Sequence, residues 1–131
     1  MYYGLCMGDV MKHILGFIAS DHRGFQLKES LKEKFPLIDL GTFTDKKMVD
    51  EVDYADKVVK LVLAEKKPGI LICGSGFGMD IAANRHKGIR ATVCHNLKDA
   101  EWARYHTDAN ILVFQGEFMK CRDAEKIVKK F

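Results

Sequence analysis

A cysteine followed by a glycine-rich turn is the feature of this sequence best suited to chemistry. Cys73 ends the apolar run 70–73, and the next five residues are Gly74-Ser75-Gly76-Phe77-Gly78. Glycines at this density allow successive backbone N–H groups to face one concavity that holds an anion, and the start of a following helix adds positive potential. A thiol beside such donors can serve as a base or a nucleophile. A buried core cysteine before a flexible turn is the alternative that these residues leave open.

The turn does not carry the signature of a nucleotide site. It lacks the Gly-Lys-Ser/Thr end of a P-loop. Its glycines follow the third strand-like run with GxGxG spacing, whereas a dinucleotide fingerprint places GxGxxG after the first strand. The pattern therefore favours a small anion, either a phosphate or an enediolate.

Three further titratable residues are candidates for the same site. Asp21 and His22 follow the first apolar run, and a carboxylate beside an imidazole suits proton transfer or phosphate binding. Asp21 equally suits the cap of the next helix. His106 follows a helix-like segment, where a histidine is also favoured by the helix dipole alone. We expect all three to converge with the glycine turn on one edge of a sheet.

The elements that must position these residues alternate along the chain. Strand-like apolar runs occupy residues 14–19, 37–40, 70–73, 89–94 and 109–114, and amphipathic segments separate them. The clearest helix places Ala55, Val58, Val59, Val62 and Leu63 on one face. The alternation predicts a three-layer α/β fold, a doubly wound, Rossmann-like, five-stranded parallel sheet with helices on both faces.

In such a fold every strand-to-helix loop reaches the same edge of the sheet, where ligands bind near a topological switch point. The predicted edge loops are residues 20–24, 41–53, 73–78, 95–98 and 115–121.

Length and composition limit the classes of function. The 131 residues suffice for one domain, which we place at residues 13–131, with residues 1–12 as a loose N-terminal extension. The 21 basic residues are interleaved with 18 acidic ones, which argues against nucleic acid as a partner. No apolar run reaches membrane-spanning length, so we expect no membrane partner. The cysteines form no CxxC pair and lack zinc spacing, so we expect a cytoplasmic protein without a metal site.

Several motifs match one family in order and spacing. The residues Asp21-His22-Arg23-Gly24-Phe25, the run 69–85 around the glycine turn, and Tyr105-His106-Thr107-Asp108 resemble ribose-5-phosphate isomerase B. The related galactose-6-phosphate isomerase subunits share much of the pattern. The resemblance covers about residues 13–128.

The resemblance implies an isomerase of carbohydrate metabolism, in the pentose phosphate pathway. Such an enzyme interconverts ribose 5-phosphate and ribulose 5-phosphate through an enediolate, with a cysteine base and no metal or cofactor. It also implies a homodimer, or a dimer of dimers, whose partner molecule is the sugar phosphate. Two alternatives stay open, namely an isomerase of a six-carbon aldose phosphate (allose or galactose 6-phosphate) and a catalytically weak sugar-phosphate-binding homologue.

The resemblance also assigns roles by position. Cys73 would be the base, Asp21 and His106 would help to open the sugar ring, and Ser75 would hold the enediolate oxygen together with backbone amides. His22 would approach the phosphate from the neighbouring subunit. The substrate-binding residues implied in this way are His22, Gly74, Gly76, Phe77, Gly78, Asn84 and Thr107.

The sequence departs from the family pattern at four places near these residues, and one of them, Ser75 in place of a threonine, keeps the hydroxyl. Glu51-Val52 replace a tyrosine and a proline, Thr107 replaces an asparagine, and Glu117-Phe118 stand where the family tends to have an arginine. The weak-homologue alternative rests on this loss of a phosphate-binding arginine, for which Arg23 and Arg85 are candidate substitutes that the sequence does not place.

Overall fold

The computed structural model describes residues 13–131, so the extension expected at residues 1–12 lies outside the described residues. Strands and helices alternate along this part of the chain. The strands are β1 (Gly16–Ser20), β2 (Leu37–Asp39), β3 (Gly69–Cys73), β4 (Ala91–Val93) and β5 (Ile111–Gln115). The helices are α1 (Phe25–Lys34), α2 (Glu51–Glu65), α3 (Phe77–Asn84), α4 (Leu97–Thr107) and α5 (Cys121–Lys130).

The five strands form one parallel sheet in the order β2-β1-β3-β5-β4. The chain moves outward from β1 to β2 and then crosses to β3 on the other side of β1. The switch point therefore lies between β1 and β3, whose loops carry Asp21 and the glycine turn. The predicted doubly wound fold is confirmed.

Two apolar clusters hold the helices against the two faces of the sheet. Successive strand side chains point to opposite faces, so Leu71 and Cys73 pack with α2 and α3, whereas Ile70 and Ile72 pack with α1, α4 and α5. Because both faces are covered, the strands read as continuous apolar runs in the sequence.

Two sequence-based expectations about the elements are wrong in detail. Leu63 does not belong to the buried stripe of α2, because it lies at the margin of the stripe with 42% of its surface exposed. The fourth strand is shorter than the run 89–94, because the backbone N–H of Arg90 donates to the Asn110 side chain and its guanidinium donates to the Asp108 carbonyl.

A buried lysine ties α1 to the end of β2. The side chain of Lys28 is fully buried, and its Nζ lies 2.6 Å from Asp39 Oδ2 and 3.1 Å from Glu29 Oε2. The other oxygen of Asp39 accepts a hydrogen bond from the backbone of Gly41. This network fixes the loop that leads from β2 towards the switch point. Among the helices described, none has the length and apolar character needed to cross a membrane.

Candidate active site

The glycine turn connects β3 to α3 at the carboxyl edge of the sheet. Gly76 adopts a φ of +83° as the residue before α3, a conformation that only glycine takes without strain. The Ser75 hydroxyl accepts a hydrogen bond from the N–H of Phe77. The other first amides of a helix have no intrahelical acceptor. The turn and the start of α3 therefore have backbone donors that are available to a small anion.

Cys73 lies directly beneath this turn. Its carbonyl accepts a hydrogen bond from Gly116, which packs the β5–α5 loop against the end of β3. Its side chain belongs to the apolar cluster between the sheet and α2 and α3, and the residue is 4% exposed. The thiol is thus shielded from bulk water in the single chain, and its residue immediately precedes the turn in the sequence.

Asp21 orders the neighbouring β1–α1 loop. One carboxylate oxygen accepts hydrogen bonds from the backbone N–H groups of Arg23 and Gly24 at 2.9 and 3.0 Å. It does not cap α1, since the N-cap residue of that helix is Gly24 and no side-chain cap is present. Burial raises the pKa of the Asp21 carboxyl, the two backbone bonds and His22 oppose the rise, and the Glu51 charge adds to it. A raised pKa suits a group that exchanges a proton.

His22 is held by the loop that precedes α2. The backbone N–H of Val49 donates to His22 Nδ1 at 3.3 Å. In the neutral ring this bond leaves the proton on Nε2. The ring lies at the same edge of the sheet as Cys73 of its own chain, although the resemblance assigned it to the phosphate of the neighbouring subunit.

Two further charged residues lie beside the turn: Arg23, which the sequence offered as a candidate without a position, and Glu51, which it did not offer. A side chain at Gly74 would collide with Arg23, since its Cβ would lie 2.7 Å from the guanidinium carbon. A side chain at Gly78 would collide with the Glu51 carboxylate. Both charged residues fall within residues 20–24 and 41–53, which the fold prediction placed at the carboxyl edge. This position is the feature of the sequence that could have identified them as site residues.

Glu117 lies with Arg23 and Glu51 in a group of charged residues around the turn, which we call the rim. Its carboxylate accepts a 2.7 Å hydrogen bond from Arg23 Nε, and its backbone N–H donates to the Gly74 carbonyl. The Glu117 backbone and the Arg23 guanidinium therefore both lie against Gly74, the first residue of the glycine turn.

Three of the predicted site residues lie at the opposite edge of the sheet from Cys73. His106 and Thr107 end α4, just before β5 begins, and this places them at the amino edge of the sheet. Thr107 bonds back to the Ala103 carbonyl, and Asn84 ties the end of α3 to both backbone polar groups of Ala91. The expected convergence of His106 with Cys73 is therefore wrong within one chain, because a helix that follows a parallel strand returns its C-terminus to the opposite edge.

The environment of His106 differs from that of the other candidates. The residue is exposed, and its ring lies edge-on to Tyr105 and Trp102, with ring centroids 5.2 and 5.9 Å away. A cavity of about 490 Å³ opens at the same edge, with Arg90, Arg104 and Phe131 among its lining residues. It lies a strand length away from Cys73, so it does not belong to the site at the glycine turn.

The geometry at the carboxyl edge suits proton transfer next to a carbonyl group. A shielded cysteine immediately precedes the glycine turn, and a carboxyl with a raised pKa lies on the neighbouring loop. Removing a proton beside a carbonyl places negative charge on oxygen, which preorganised donors stabilise. Within residues 13–131, no three His, Cys, Asp or Glu side chains come together as ligands for a metal ion.

Comparison with known proteins assigns this arrangement to a family. The sequence model of the Ribose/Galactose Isomerase family matches residues 17–131. The chain is 39% identical over 114 residues to ribose-5-phosphate isomerase B of Escherichia coli, covering 82% of this chain and 76% of the relative.

Solved structures agree with this assignment. A ribose 5-phosphate isomerase from Thermotoga maritima has a TM-score of 0.85 at 44% identity, covering 91% of this chain and 86% of the other. Ribose-5-phosphate isomerase B from Mycoplasma genitalium with bound ribulose-5-phosphate has a TM-score of 0.80 at 39% identity, covering 88% and 80%.

The fold, the thiol beside the glycine turn and these matches define the class: the protein is an aldose–ketose isomerase that acts on a sugar phosphate. The chain belongs to the Ribose/Galactose Isomerase family, and the solved structures that it resembles are type B ribose-5-phosphate isomerases.

Proposed function

We propose that this enzyme interconverts ribose 5-phosphate and ribulose 5-phosphate, with Cys73 as the base. The observation that carries the proposal is the position of the thiol, at the end of β3 beside the glycine turn and the switch point. The relative from Mycoplasma genitalium with bound ribulose-5-phosphate supports this choice of sugar.

The reaction moves one proton between two carbons. The Cys73 thiolate removes the proton from C2 of the open aldose, and the electron pair shifts through a C1–C2 double bond onto the carbonyl oxygen. The Ser75 hydroxyl and the amides of the glycine turn stabilise the enediolate oxygen. The thiol returns the proton to C1 while the hydroxyl proton on O2 passes to O1, which gives the ketose without a metal or cofactor. Asp21 assists ring opening by exchanging a proton with the ring oxygen.

A second copy of the chain completes the site in this proposal. His106, Thr107 and Asn84 lie at the amino edge and do not reach Cys73 of their own chain, so they serve the partner's site in a homodimer. Aromatic surface surrounds His106, since Tyr105 is 83% and Trp102 54% exposed. Two apolar residues of α3, Phe77 and Ile81, are also exposed and suit the same interface.

The decisive experiment measures ketose formation by the purified protein from ribose 5-phosphate, allose 6-phosphate and galactose 6-phosphate. We expect product from the pentose, and no change on adding a chelator. Ketose from a six-carbon substrate alone would assign the enzyme to that sugar. Binding without turnover of any of the three would identify a silent homologue.

Cys73→Ala tests the proposed base. We expect turnover to fall at least about 100-fold, which is the contribution of a positioned base, while the circular dichroism spectrum stays unchanged. Cys121→Ala, a half-buried thiol on α5, is the matched control and keeps full activity. Undiminished turnover in Cys73→Ala would exclude the cysteine mechanism.

A further inference from the structure

Arg23 occupies a position at the rim that the reaction scheme above leaves without a role. Its backbone is fixed by the Asp21 carboxylate, and its guanidinium lies against Gly74 at the start of the glycine turn. The side chain is 56% exposed, whereas the thiol beneath it is shielded. The exposed Arg23 guanidinium is therefore available at the rim to the phosphate end of a sugar whose reacting carbons reach the thiol.

The hydrogen bonding of Arg23 leaves most of its donors available. Nε donates to Glu117, and neither Nη1 nor Nη2 donates to any group within residues 13–131. A guanidinium oriented through Nε presents its two amino groups as a fork, which matches two oxygens of a phosphate. Glu117 is in turn held by its backbone bond to Gly74, so the fork is oriented before substrate arrives.

The surrounding charges make a cation necessary for an anionic substrate. Carboxylates of Asp21, Glu51 and Glu117 all lie around the turn. They repel a phosphate dianion unless a positive charge stands between them. The Arg23 guanidinium interacts with Glu117 first and also with Asp21 and Cys73, and these interactions raise its pKa further, so it stays charged.

We propose that Arg23 is the phosphate-binding residue contributed by this chain, with Glu117 as the residue that positions its guanidinium. The proposal rests on the sugar-phosphate isomerase function above. It assigns phosphate recognition to Arg23 in a chain that has Glu117 in the β5–α5 loop, near where the resemblance leads us to expect an arginine. The rim therefore selects phosphorylated sugars over free sugars. This selection is independent of the proton transfer at the thiol.

Kinetics of Arg23→Gln test the proposal. We expect KM for ribose 5-phosphate to rise roughly tenfold to a hundredfold, the range for a lost charge-assisted pair, while kcat changes less than about threefold. Arg23→Lys, which keeps the charge and loses the fork, gives an intermediate KM. Lys60→Gln removes one exposed charge on α2 and leaves both constants unchanged. A fall in kcat at unchanged KM would overturn the proposal, because Arg23 would then act on the enediolate.

The Glu117 variants test the positioning role. Glu117→Gln keeps an oxygen that accepts from Nε and retains a KM close to that of the parent or below it, whereas Glu117→Ala raises KM. Equal KM values for the two variants would contradict positioning.

Calorimetric titration with inorganic phosphate separates this proposal from the isomerase function. We expect the parent protein to bind phosphate and Arg23→Gln to bind at least tenfold more weakly, whichever sugar the enzyme turns over. Equal phosphate affinity of the two proteins, or no binding by the parent, would overturn the role of Arg23 even if ribose 5-phosphate is isomerised. Thermal denaturation confirms that each variant is folded.

Discussion

Asp21 combines a proposed role in ring opening with a cost to the stability of the fold. Its carboxylate is nearly buried, orders the β1–α1 loop through two backbone N–H groups, and has a pKa raised chiefly by burial. Keeping this carboxylate ionised at neutral pH costs folding free energy. Active sites commonly hold groups of this kind, which favour activity at the expense of stability.

Replacing Asp21 by Asn separates the two contributions. Asparagine keeps an oxygen for Arg23 and Gly24 but cannot exchange a proton, so we expect turnover to fall about 100-fold or more while Tm at pH 7 stays equal or rises by a few degrees. The folded pKa lies above the ordinary value of 3.8. The free-energy cost of the buried Asp21 carboxylate is therefore complete above the folded pKa and disappears as the pH falls towards 3.8. The difference in Tm between the parent and Asp21→Asn therefore narrows in acid. A lower Tm for the variant at pH 7 would contradict this account.

Cys94 is a buried thiol whose raised pKa affects stability at alkaline pH, whereas that of Asp21 affects it in acid. It is fully buried against α4, where burial, with a smaller effect of Asp99, raises its pKa to about 12. A raised thiol pKa contributes stability that is complete below the unfolded value near 9.0 and is lost as the pH rises towards 12.

We expect Cys94→Ala to show a shallower decline of stability with pH than the parent between pH 9 and 11. Urea midpoints at several pH values measure this decline, and Cys121→Ala serves as the control. Parallel pH curves for parent and Cys94→Ala would contradict the assignment.

At the scale of elements, α1 and β2 are joined by a buried ionic network that shapes the approach to the site. Burial alone raises the pKa of Asp39, but hydrogen bonds from Lys28, the Gly41 backbone and Lys32 outweigh it, and the net pKa is lowered. The carboxylate therefore stabilises the fold above its unfolded pKa, and this contribution is lost as the pH falls through the folded value.

Lys28→Met tests this network, because it leaves a buried carboxylate short of a partner. Removing one member of a buried pair typically costs about 3–5 kcal/mol, and we expect the lower part of this range since Lys32 Nζ still lies 3.0 Å from Asp39. Urea denaturation measures the loss. Lys32→Met, at a partly exposed position, costs less than about 1 kcal/mol. Equal losses in both variants would show that burial of Lys28 is not the cause.

At the scale of the whole molecule, the two halves of the proposed site lie at opposite edges of one sheet. Cys73 and Asp21 stand at the carboxyl edge, whereas His106 stands at the amino edge. A homodimer in which each copy lends its His106 to the other accounts for both positions. The two-fold symmetry of such a dimer gives two equivalent sites.

Mixing two inactive variants tests the shared site. Cys73→Ala and His106→Ala homodimers both lack a complete site, but half of the dimers reassembled at random are mixed, and each of these contains one intact site. We expect unfolding and refolding the variants together to restore about one quarter of the parent activity. Lack of any recovery, with dimers present by gel filtration, would place His106 outside the partner's site.

The sequence alone determined the fold, and it placed Cys73 directly before the glycine turn at the edge of the sheet that we propose as the active edge. These features are encoded locally, because apolar runs and helical periodicity specify strands and helices, and the turn directly follows the cysteine. Only the tertiary structure decided which edge of the sheet each helix end reaches. It places His106, Thr107 and Asn84 at the amino edge, away from the Cys73 thiol.

The tertiary structure also brought Arg23 and Glu117 together across 94 residues. No short-range pattern specifies such a contact, because it depends on the order of the strands and on how the loops after β1 and β5 pack around the end of β3. Chemistry that resides within one loop was therefore visible in the sequence, whereas chemistry shared between loops became visible only in the folded chain.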